Sequence, residues 1–111
     1  MGDERIDLLL GTLEVLVLQS LARAPRLHGY DIIDWIATRS GDAFQIEEGA
    51  LYPALHRLEV KGWLASEWGL SGNNRRAKFY RLTARGRKHL ERQKLEWQRL
   101  VGAMARVLEL A

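Results

Sequence analysis

The sequence predicts an α+β fold that is mainly α-helical, with a two-stranded β-hairpin and a long C-terminal helix. Apolar residues recur at helical spacing along the first half of the chain. Two short alternating runs then flank a turn rich in Gly and Asn, and an uninterrupted helical pattern follows Thr83. We expect the 111 residues to form one compact unit, in which 1–82 hold the first helices and the hairpin and 83–111 the last helix.

Composition restricts the possible classes of function. The chain has no cysteine, and its three histidines, His28, His56 and His89, lack metal-ligand spacing, so neither a metal nor a cofactor is expected. No nucleophile, base and orienting acid can be grouped, so no catalytic residue is predicted. The acidic, polar N-terminus and the short apolar run Leu13–Leu18 predict neither a signal peptide nor a membrane span, and the cytoplasm is the expected location.

The first two helices are predicted by apolar spacing and by their end signals. The first is expected over Leu13–Arg23, where Thr12 is placed to cap it with its hydroxyl and Pro25 stops it. The second is expected over Gly29–Ser40, with Gly41 as its C-terminal cap residue.

A short strand over Ala43–Ile46 and a third helix over Gly49–Lys61 are predicted next. With Gly49 as the N-cap, Pro53 would remove only the first hydrogen bond of this helix and would be tolerated there. Gly62 is expected to end it.

The third helix is expected to have two different sides. At about 100° per residue, one arc faces the core and holds Leu51, Ala54, Leu55 and Leu58. The opposite arc is free for a partner and holds Gly49, Pro53, His56, Arg57 and Val60. An ordinary core helix with a solvated face has the same periodicity, so periodicity alone leaves both interpretations open.

The segment after this helix predicts a cationic β-hairpin. Trp63–Trp68 and Lys78–Leu82 alternate as strands do, and Gly69–Asn74 has the residue types that tolerate a tight turn. No acidic residue occurs from Ser71 to Leu90, where seven residues are basic: Arg75, Arg76, Lys78, Arg81, Arg85, Arg87 and Lys88. A charged turn is often only solvated, but a helix beside a basic hairpin suits a DNA duplex.

The last helix is expected from the Thr83 cap to about Leu110, a length of about 40 Å. A seam close to coiled-coil spacing runs along it: Leu90, Trp97, Val101, Met104 and Leu108. Because a domain this small cannot cover such a seam alone, a homodimer is predicted. Leu9 and Leu13 at the start of the chain are expected to complete its interface.

Three motifs together resemble the core signature of PadR-type transcriptional regulators. They are His28-Gly29-Tyr30, then Gly49-x-x-Tyr52-Pro53-x-Leu55-x-x-Leu58-Glu59-x-x-Gly62, then Tyr80-x-Leu82-Thr83-x-x-Gly86. The resemblance covers about Leu8 to Leu110. It implies a winged helix-turn-helix, DNA binding as a homodimer, and repression relieved by a ligand. In some members of this family an aromatic residue at the position of Trp97 lines an apolar effector cavity at the dimer centre, so Trp97 is a possible effector-pocket residue.

On this interpretation, the third helix enters the major groove of a palindromic operator in double-stranded DNA. Arg57 and His56 are the polar candidates for base contacts, with Ala50, Tyr52 and Pro53 near the start of the helix. The candidates in the hairpin, for backbone or minor-groove contact, are Asn74, Arg75, Arg76 and Lys78. Two-fold symmetry predicts half-sites about 34–36 Å apart.

Two other functions remain open at this point. The basic hairpin of a protein-interaction module would bind acidic protein surfaces instead of DNA, and strong salt dependence of binding to naked DNA would separate the two. A small enzyme is disfavoured, because the sequence holds no catalytic group of residues.

Overall fold

Four helices and three strands make up the computed structural model, which describes residues 10–110. The helices are α1 (Leu10–Ala22), α2 (Gly29–Arg39), α3 (Glu48–Val60) and α4 (Ala84–Val107). The strands are β1 (Leu27–His28), β2 (Leu64–Leu70) and β3 (Arg76–Leu82). The predicted class is confirmed: a mainly helical α+β fold with a hairpin, the wing of a winged helix-turn-helix, and a long last helix.

The core lies around α1, which packs against the other three helices. The largest group of buried side chains comes from α1 and from the inner sides of α2 and α3: Leu13, Val17, Leu18, Leu21, Ile32, Ile36, Leu51, Ala54, Leu55 and Leu58. Leu64, Tyr80 and Leu90 join it from the sheet and α4. Full burial of each large side chain stabilises the fold by about 1.5–3 kcal/mol, so this cluster fixes the relative positions of α2, α3 and the wing.

The sheet is antiparallel in the order β1-β3-β2. Pairing of β2 with β3 runs from Leu64 opposite Leu82 to Leu70 opposite Arg76, so the hairpin is longer than predicted. β1 adds two residues on the other side of β3, with Leu27 opposite Tyr80. The sequence does not predict β1, because two residues are too few for an alternating pattern to appear.

The strand predicted over Ala43–Ile46 is wrong. These residues have irregular backbone between α2 and α3. The Phe44 N–H donates to the Ser40 hydroxyl at 3.0 Å, and Phe44 and Ile46 pack partly buried against the core. Their alternating apolar character reflects this packing and not pairing with a strand.

Two helix starts also differ from the predictions. Thr12 lies inside α1 and is not its cap. The N-cap of α3 is Glu47 and not Gly49, and the Leu51 N–H already donates to the Glu47 carbonyl at 3.0 Å. Pro53 therefore lies in the second turn, where its ring replaces the N–H that would bond to the Gly49 carbonyl.

Other predicted ends are confirmed. Gly62 has a φ of +78° just after α3, and Gly41 has a φ of +62° just after α2, where glycine avoids the strain of a side chain. The Thr83 hydroxyl accepts from the Gly86 N–H at 3.0 Å and caps α4. The last helix ends at Val107, with Leu108 as its C-cap, slightly before the predicted end.

At 24 residues, α4 is about 36 Å long. Its first turns belong to the core: Leu90 is buried, and Gly86 lies against the Trp63 carbonyl. The rest extends past the body of the protein. Within residues 10–110, no helix combines the length and the apolar character that crossing a bilayer requires.

Candidate nucleic-acid interface

The outer side of α3 is open, as its periodicity predicted. The four residues predicted to face the core are all fully buried: Leu51, Ala54, Leu55 and Leu58. On the other side Gly49, Ala50, Pro53 and His56 are exposed, and Val60 is 73% exposed. Most of these side chains are short, so another molecule can approach the helix closely.

Arg57 differs from these residues, because its side chain is 35% exposed and turned toward α1, so its contact with a base stays a prediction. Its Nε donates to the Glu14 carboxylate on α1 at 3.0 Å. The Glu14 side chain is only 14% exposed, and Lys61 lies 4.0 Å from its other oxygen. The two cations at the end of α3 are therefore held toward α1 by one carboxylate.

Glu59 connects α3 to the wing. Its carboxylate accepts a hydrogen bond from the Ser66 hydroxyl on β2 and lies 3.8 Å from the Lys78 ammonium on β3. Glu59 is therefore paired with a basic residue of the wing. Part of the charge of Lys78 is thus balanced within the protein.

The start of α3 is acidic and lies beside two tyrosines. Glu48 is exposed in its first turn. Hydrogen bonding to Glu48, and then its charge, raises the pKa of Tyr30 on α2. Burial, and then the charge of Glu48, raises the pKa of Tyr52. Both phenols therefore stay protonated at neutral pH and remain hydrogen-bond donors.

Tyr52 packs over Gly29, the first residue of α2. Its hydroxyl and ring occupy the space that a β-carbon on Gly29 would need. His28 caps α2 with Nδ1, which accepts from the Asp31 N–H at 3.4 Å. The His28-Gly29-Tyr30 motif thus sets the start of α2 against α3, a packing role that the sequence did not indicate for Tyr52.

One face of the wing carries aromatic and cationic side chains side by side. The Arg76 guanidinium lies 4.8 Å from the centre of the Trp68 ring, and the Lys78 ammonium lies 5.8 Å from that of Tyr80. Trp68 is 59% exposed, and Leu70 beside it is also exposed. A cation over an exposed ring is worth about 0.5–1 kcal/mol, so Trp68 helps to fix the direction of Arg76.

The tip of the wing is a closed turn from Ser71 to Arg75. The Ser71 N–H donates to the Arg75 carbonyl at 2.8 Å, and the Asn74 N–H donates to the Ser71 carbonyl at 2.9 Å. Asn74 has a φ of +63°, which asparagine tolerates better than most residues. Asn74 therefore has a clear role in the turn, and Arg75 is exposed next to it.

The root of the wing is attached to the segment before β1. The Arg26 guanidinium lies 3.2 Å from the Glu67 carboxylate and 4.2 Å from the centre of the Phe79 ring. No sequence pattern predicts this contact, because Arg26 lies outside every predicted element. It fixes the side of the wing that faces away from the cations.

A cleft of about 860 Å³ separates the wing from the two helices of the helix-turn-helix. Tyr30 and Tyr52 line one side, and Trp68, Arg76 and Lys78 line the other. Arg75 lies at its rim, at the tip of the wing. The cleft brings Arg75, Arg76, Lys78 and Tyr52 together around one space, while Asn74 and Arg57 are not among its lining residues.

The C-terminal half of α4 exposes a continuous apolar stripe. Val101 is 59% exposed and Met104 49%, and Leu108 is exposed beside them, while Trp97 is partly covered. Two more exposed apolar residues of α4, Leu100 and Val107, widen the stripe. Monomeric proteins rarely leave so much contiguous apolar surface in water.

Two of the predicted interface residues belong to the protein's own core. Leu13 and Leu90 are both almost fully buried by side chains of the same chain, so little of their surface is left for a partner. Helical spacing did not distinguish Leu90 from the rest of the seam, because it lies in line with it along α4. Leu9 lies outside the described residues.

A second groove, of about 500 Å³, lies between α1 and α4. Val15, Leu16, Phe44 and Trp97 give it an apolar lining, with Lys94 at its edge. Trp97 therefore lines a groove that is open in the protomer and runs into the apolar stripe of α4.

Comparison with known proteins agrees with this geometry. The family described as "Transcriptional regulator PadR-like family" matches residues 17–92. A protein from Lysinibacillus sphaericus is 32% identical over 93 residues, which are 84% of each chain.

Solved structures of similar proteins have the same fold. A PadR family transcriptional regulator from Eggerthella lenta DSM 2243 is 35% identical, with a TM-score of 0.75 over 91% of this chain and 85% of that one. A PadR family transcription regulator from Clostridium difficile R20291 is 31% identical, with a TM-score of 0.74 over 86% of this chain and 97% of that one. Because the family match covers most of the chain, it supports DNA binding. The chain belongs to the PadR-like family of transcriptional regulators, which are DNA-binding proteins and not enzymes.

Proposed function

We propose that the protein acts as a homodimeric repressor on a palindromic operator, and that a ligand or another signal relieves the repression. Each protomer places the open side of α3 in the major groove. The wing contacts the flanking backbone or minor groove through Arg75 and Arg76. This proposal rests mainly on the cleft between the wing and the two helices of the helix-turn-helix, which Tyr52 lines from α3, because a DNA strand can be held in such a cleft.

Charge supports this arrangement. Around the cleft, Arg75 is exposed without an ion-pair partner among the described residues, and Arg76 is held by Trp68 and not by a carboxylate. Exposed cations of this kind contact phosphate and release bound counterions. Tyr52 lies at the same cleft, where its hydroxyl can donate to a phosphate oxygen. Asn74 shapes the turn that presents Arg75.

The apolar stripe of α4 supports the homodimer. Trp97, Val101, Met104 and Leu108 follow one side of the helix, and a second copy of α4 is the partner with matching length and spacing. A symmetric dimer presents two α3 helices and two wings, as a palindromic operator requires.

The groove between α1 and α4 is the candidate effector site. Its apolar lining, including Trp97, suits a largely apolar ligand, and it lies next to the proposed dimer interface. A ligand there would act by favouring one angle between the protomers, and so one distance between the two α3 helices.

The direct test is selection of bound fragments from random duplex DNA, followed by footprinting. We expect an inverted repeat with half-sites about one helical turn apart, protected on one face of the duplex. A single half-site should bind much more weakly than the full repeat. Protection of a single asymmetric site by a monomer, or no selected sequence at all, would contradict the proposal.

A further inference from the structure

We infer that α3 reads its half-site mainly through the methyl groups of thymine, and not through an arginine on guanine. This inference rests on the proposed function, because it concerns how the same helix recognises the operator. It starts from the composition of the open side of α3, which is Gly49, Ala50, Pro53, His56 and Val60.

Both cations of α3 and its C-cap lie beside the Glu14 carboxylate of α1, with side chains 35% and 50% exposed, and neither points freely from the open side. Arg57 and Lys61 are the only cations in α3 and its C-cap. Arg57 donates to Glu14 at 3.0 Å, and its Nη2 is buried. Lys61 lies 4.0 Å from the same carboxylate and 4.9 Å from the centre of the Trp63 ring. To reach a guanine, Arg57 would have to leave a carboxylate that is mostly buried.

The groups that remain are apolar or small. Pro53 and Val60 present exposed carbon to the groove, and Gly49 and Ala50 allow the backbone to approach closely. In the major groove, carbon surface matches only one base feature, the C5 methyl of thymine. His56 is the single polar side chain on this side, so it can add one hydrogen bond to a base edge.

The test replaces single atoms in the selected operator. Each thymine of one half-site is changed in turn to uracil, which removes only the methyl group, and each guanine to 7-deazaguanine, which removes only N7. We expect at least two uracil changes to raise Kd about fourfold each, as expected for loss of one buried methyl. The 7-deazaguanine changes should stay within about twofold, whereas loss of an arginine–guanine pair would cost roughly fivefold or more.

The matched protein variant is Pro53→Ala, which removes ring carbons and supplies the N–H that the Gly49 carbonyl lacks, so the helix is retained. At one thymine, the change to uracil should raise the Kd of this variant clearly less than it raises the Kd of the wild type. The reason is that the loss of the proline ring and the loss of the methyl group remove the same interaction. With His56→Ala, at another exposed position of the same side, the loss of affinity caused by that uracil change should be the same as in the wild type.

Two results are easily told apart. If the protein binds an operator but only the 7-deazaguanine changes weaken binding, recognition through methyl groups is overturned and the DNA-binding function stands. If no DNA sequence is selected, the proposed function fails, and the inference fails with it.

Discussion

The hydroxyl of Tyr52 lies directly against the α-carbon of Gly29, so that Gly29 has no room for a side chain. A β-carbon there would overlap both the hydroxyl and the ring of Tyr52. The contact joins the first residue of α2 to the second turn of α3. It therefore sets how closely the two helices of the helix-turn-helix approach at the end that borders the cleft.

Replacing Gly29 by Ala should destabilise the protein by about 1–3 kcal/mol, the usual cost of an overpacked site. Urea unfolding followed by circular dichroism would measure the loss. The control is Gly49→Ala, near the start of α3, where a β-carbon would meet nothing within 4 Å. That change should be neutral or stabilising by about 0.5–1 kcal/mol. Equal losses at both positions would show that the contact with Tyr52 is not the cause.

Removing the two arginines at the wing tip should weaken binding to all DNA sequences. For Arg75→Ala with Arg76→Ala, the slope of log K against log salt should flatten by about 0.9 for each phosphate that the wing no longer neutralises. Titrations at several salt concentrations give this slope. The control is Arg39→Ala, at the end of α2 far from the cleft, and its slope should equal that of the wild type. An unchanged slope in the wing variant would exclude the wing as a phosphate clamp.

Charge placed in the stripe of α4 should separate the proposed dimer. In the protomer Val101 and Met104 are about half exposed, so Val101→Glu with Met104→Glu should leave the fold intact. In a dimer the same carboxylates would be buried without partners, which is unfavourable. Sedimentation should show monomers, with operator affinity largely lost. The conservative pair Val101→Ile with Met104→Leu should keep both properties. A wild type that sediments as a monomer at micromolar concentration would contradict the dimer.

Replacing Arg57 by Ala should affect stability more than base preference. Glu14 loses its nearest donor while it stays mostly buried, which should cost about 1–3 kcal/mol of unfolding free energy. In the double variant with Glu14→Gln the two losses should not add, because both remove one interaction. Selection with Arg57→Ala should return the wild-type operator. Relaxed preference at one position of each half-site would instead place Arg57 on a base.

Acid should destabilise the protein partly through His89. Its ring stacks on Trp63 at 3.5 Å. Burial, followed by the charges of Arg92 and Lys61, lowers the pKa of His89 below its ordinary value of 6.5. Between the lowered pKa and 6.5 the unfolded chain binds more protons than the folded one, so this contribution to stability falls as pH falls through that window.

The variant His89→Phe keeps a ring on Trp63 but does not titrate. Unfolding measured from pH 7.5 to 5 should show that the wild type loses stability relative to this variant as the pH drops below about 6.5. Parallel curves for the two proteins would mean that His89 does not sense pH in this range.

Much of the fold could be predicted because it depends on local signals. The buried side of α3 follows from its period, and Gly62 and Thr83 mark helix ends through backbone geometry that few residues provide. The two-residue β1 could not be predicted, because its pairing with β3 joins segments about fifty residues apart. The strand over Ala43–Ile46 was wrongly predicted for a similar reason. Phe44 and Ile46 alternate with polar residues because they pack against a core formed by distant segments, and not because they pair with a strand.

The site was harder to predict than the fold. Arg57 lies near the edge of the outward arc, and a long side chain there can turn to either side. Only the position of Glu14, in another helix, decides that it turns toward α1. Likewise, only the way α4 crosses the core separates Leu90, which is buried, from Val101, which is not. The direction of a side chain and its burial depend here on contacts between elements, which the periodicity of the sequence does not show.

Thr83 is the single residue that connects the wing to α4. Its N–H donates to the Trp63 carbonyl at 3.1 Å, its hydroxyl donates to the Gly62 carbonyl at 2.7 Å, and α4 begins at the next residue. These hydrogen bonds hold the start of α4 against the base of the wing, and α4 extends about 36 Å from this point. A tilt of α4 by about 10° at its first residue displaces its C-terminal end by roughly 6 Å. In the proposed dimer, a small change in the crossing angle of the two α4 helices would therefore produce a large change in the distance between the two wings.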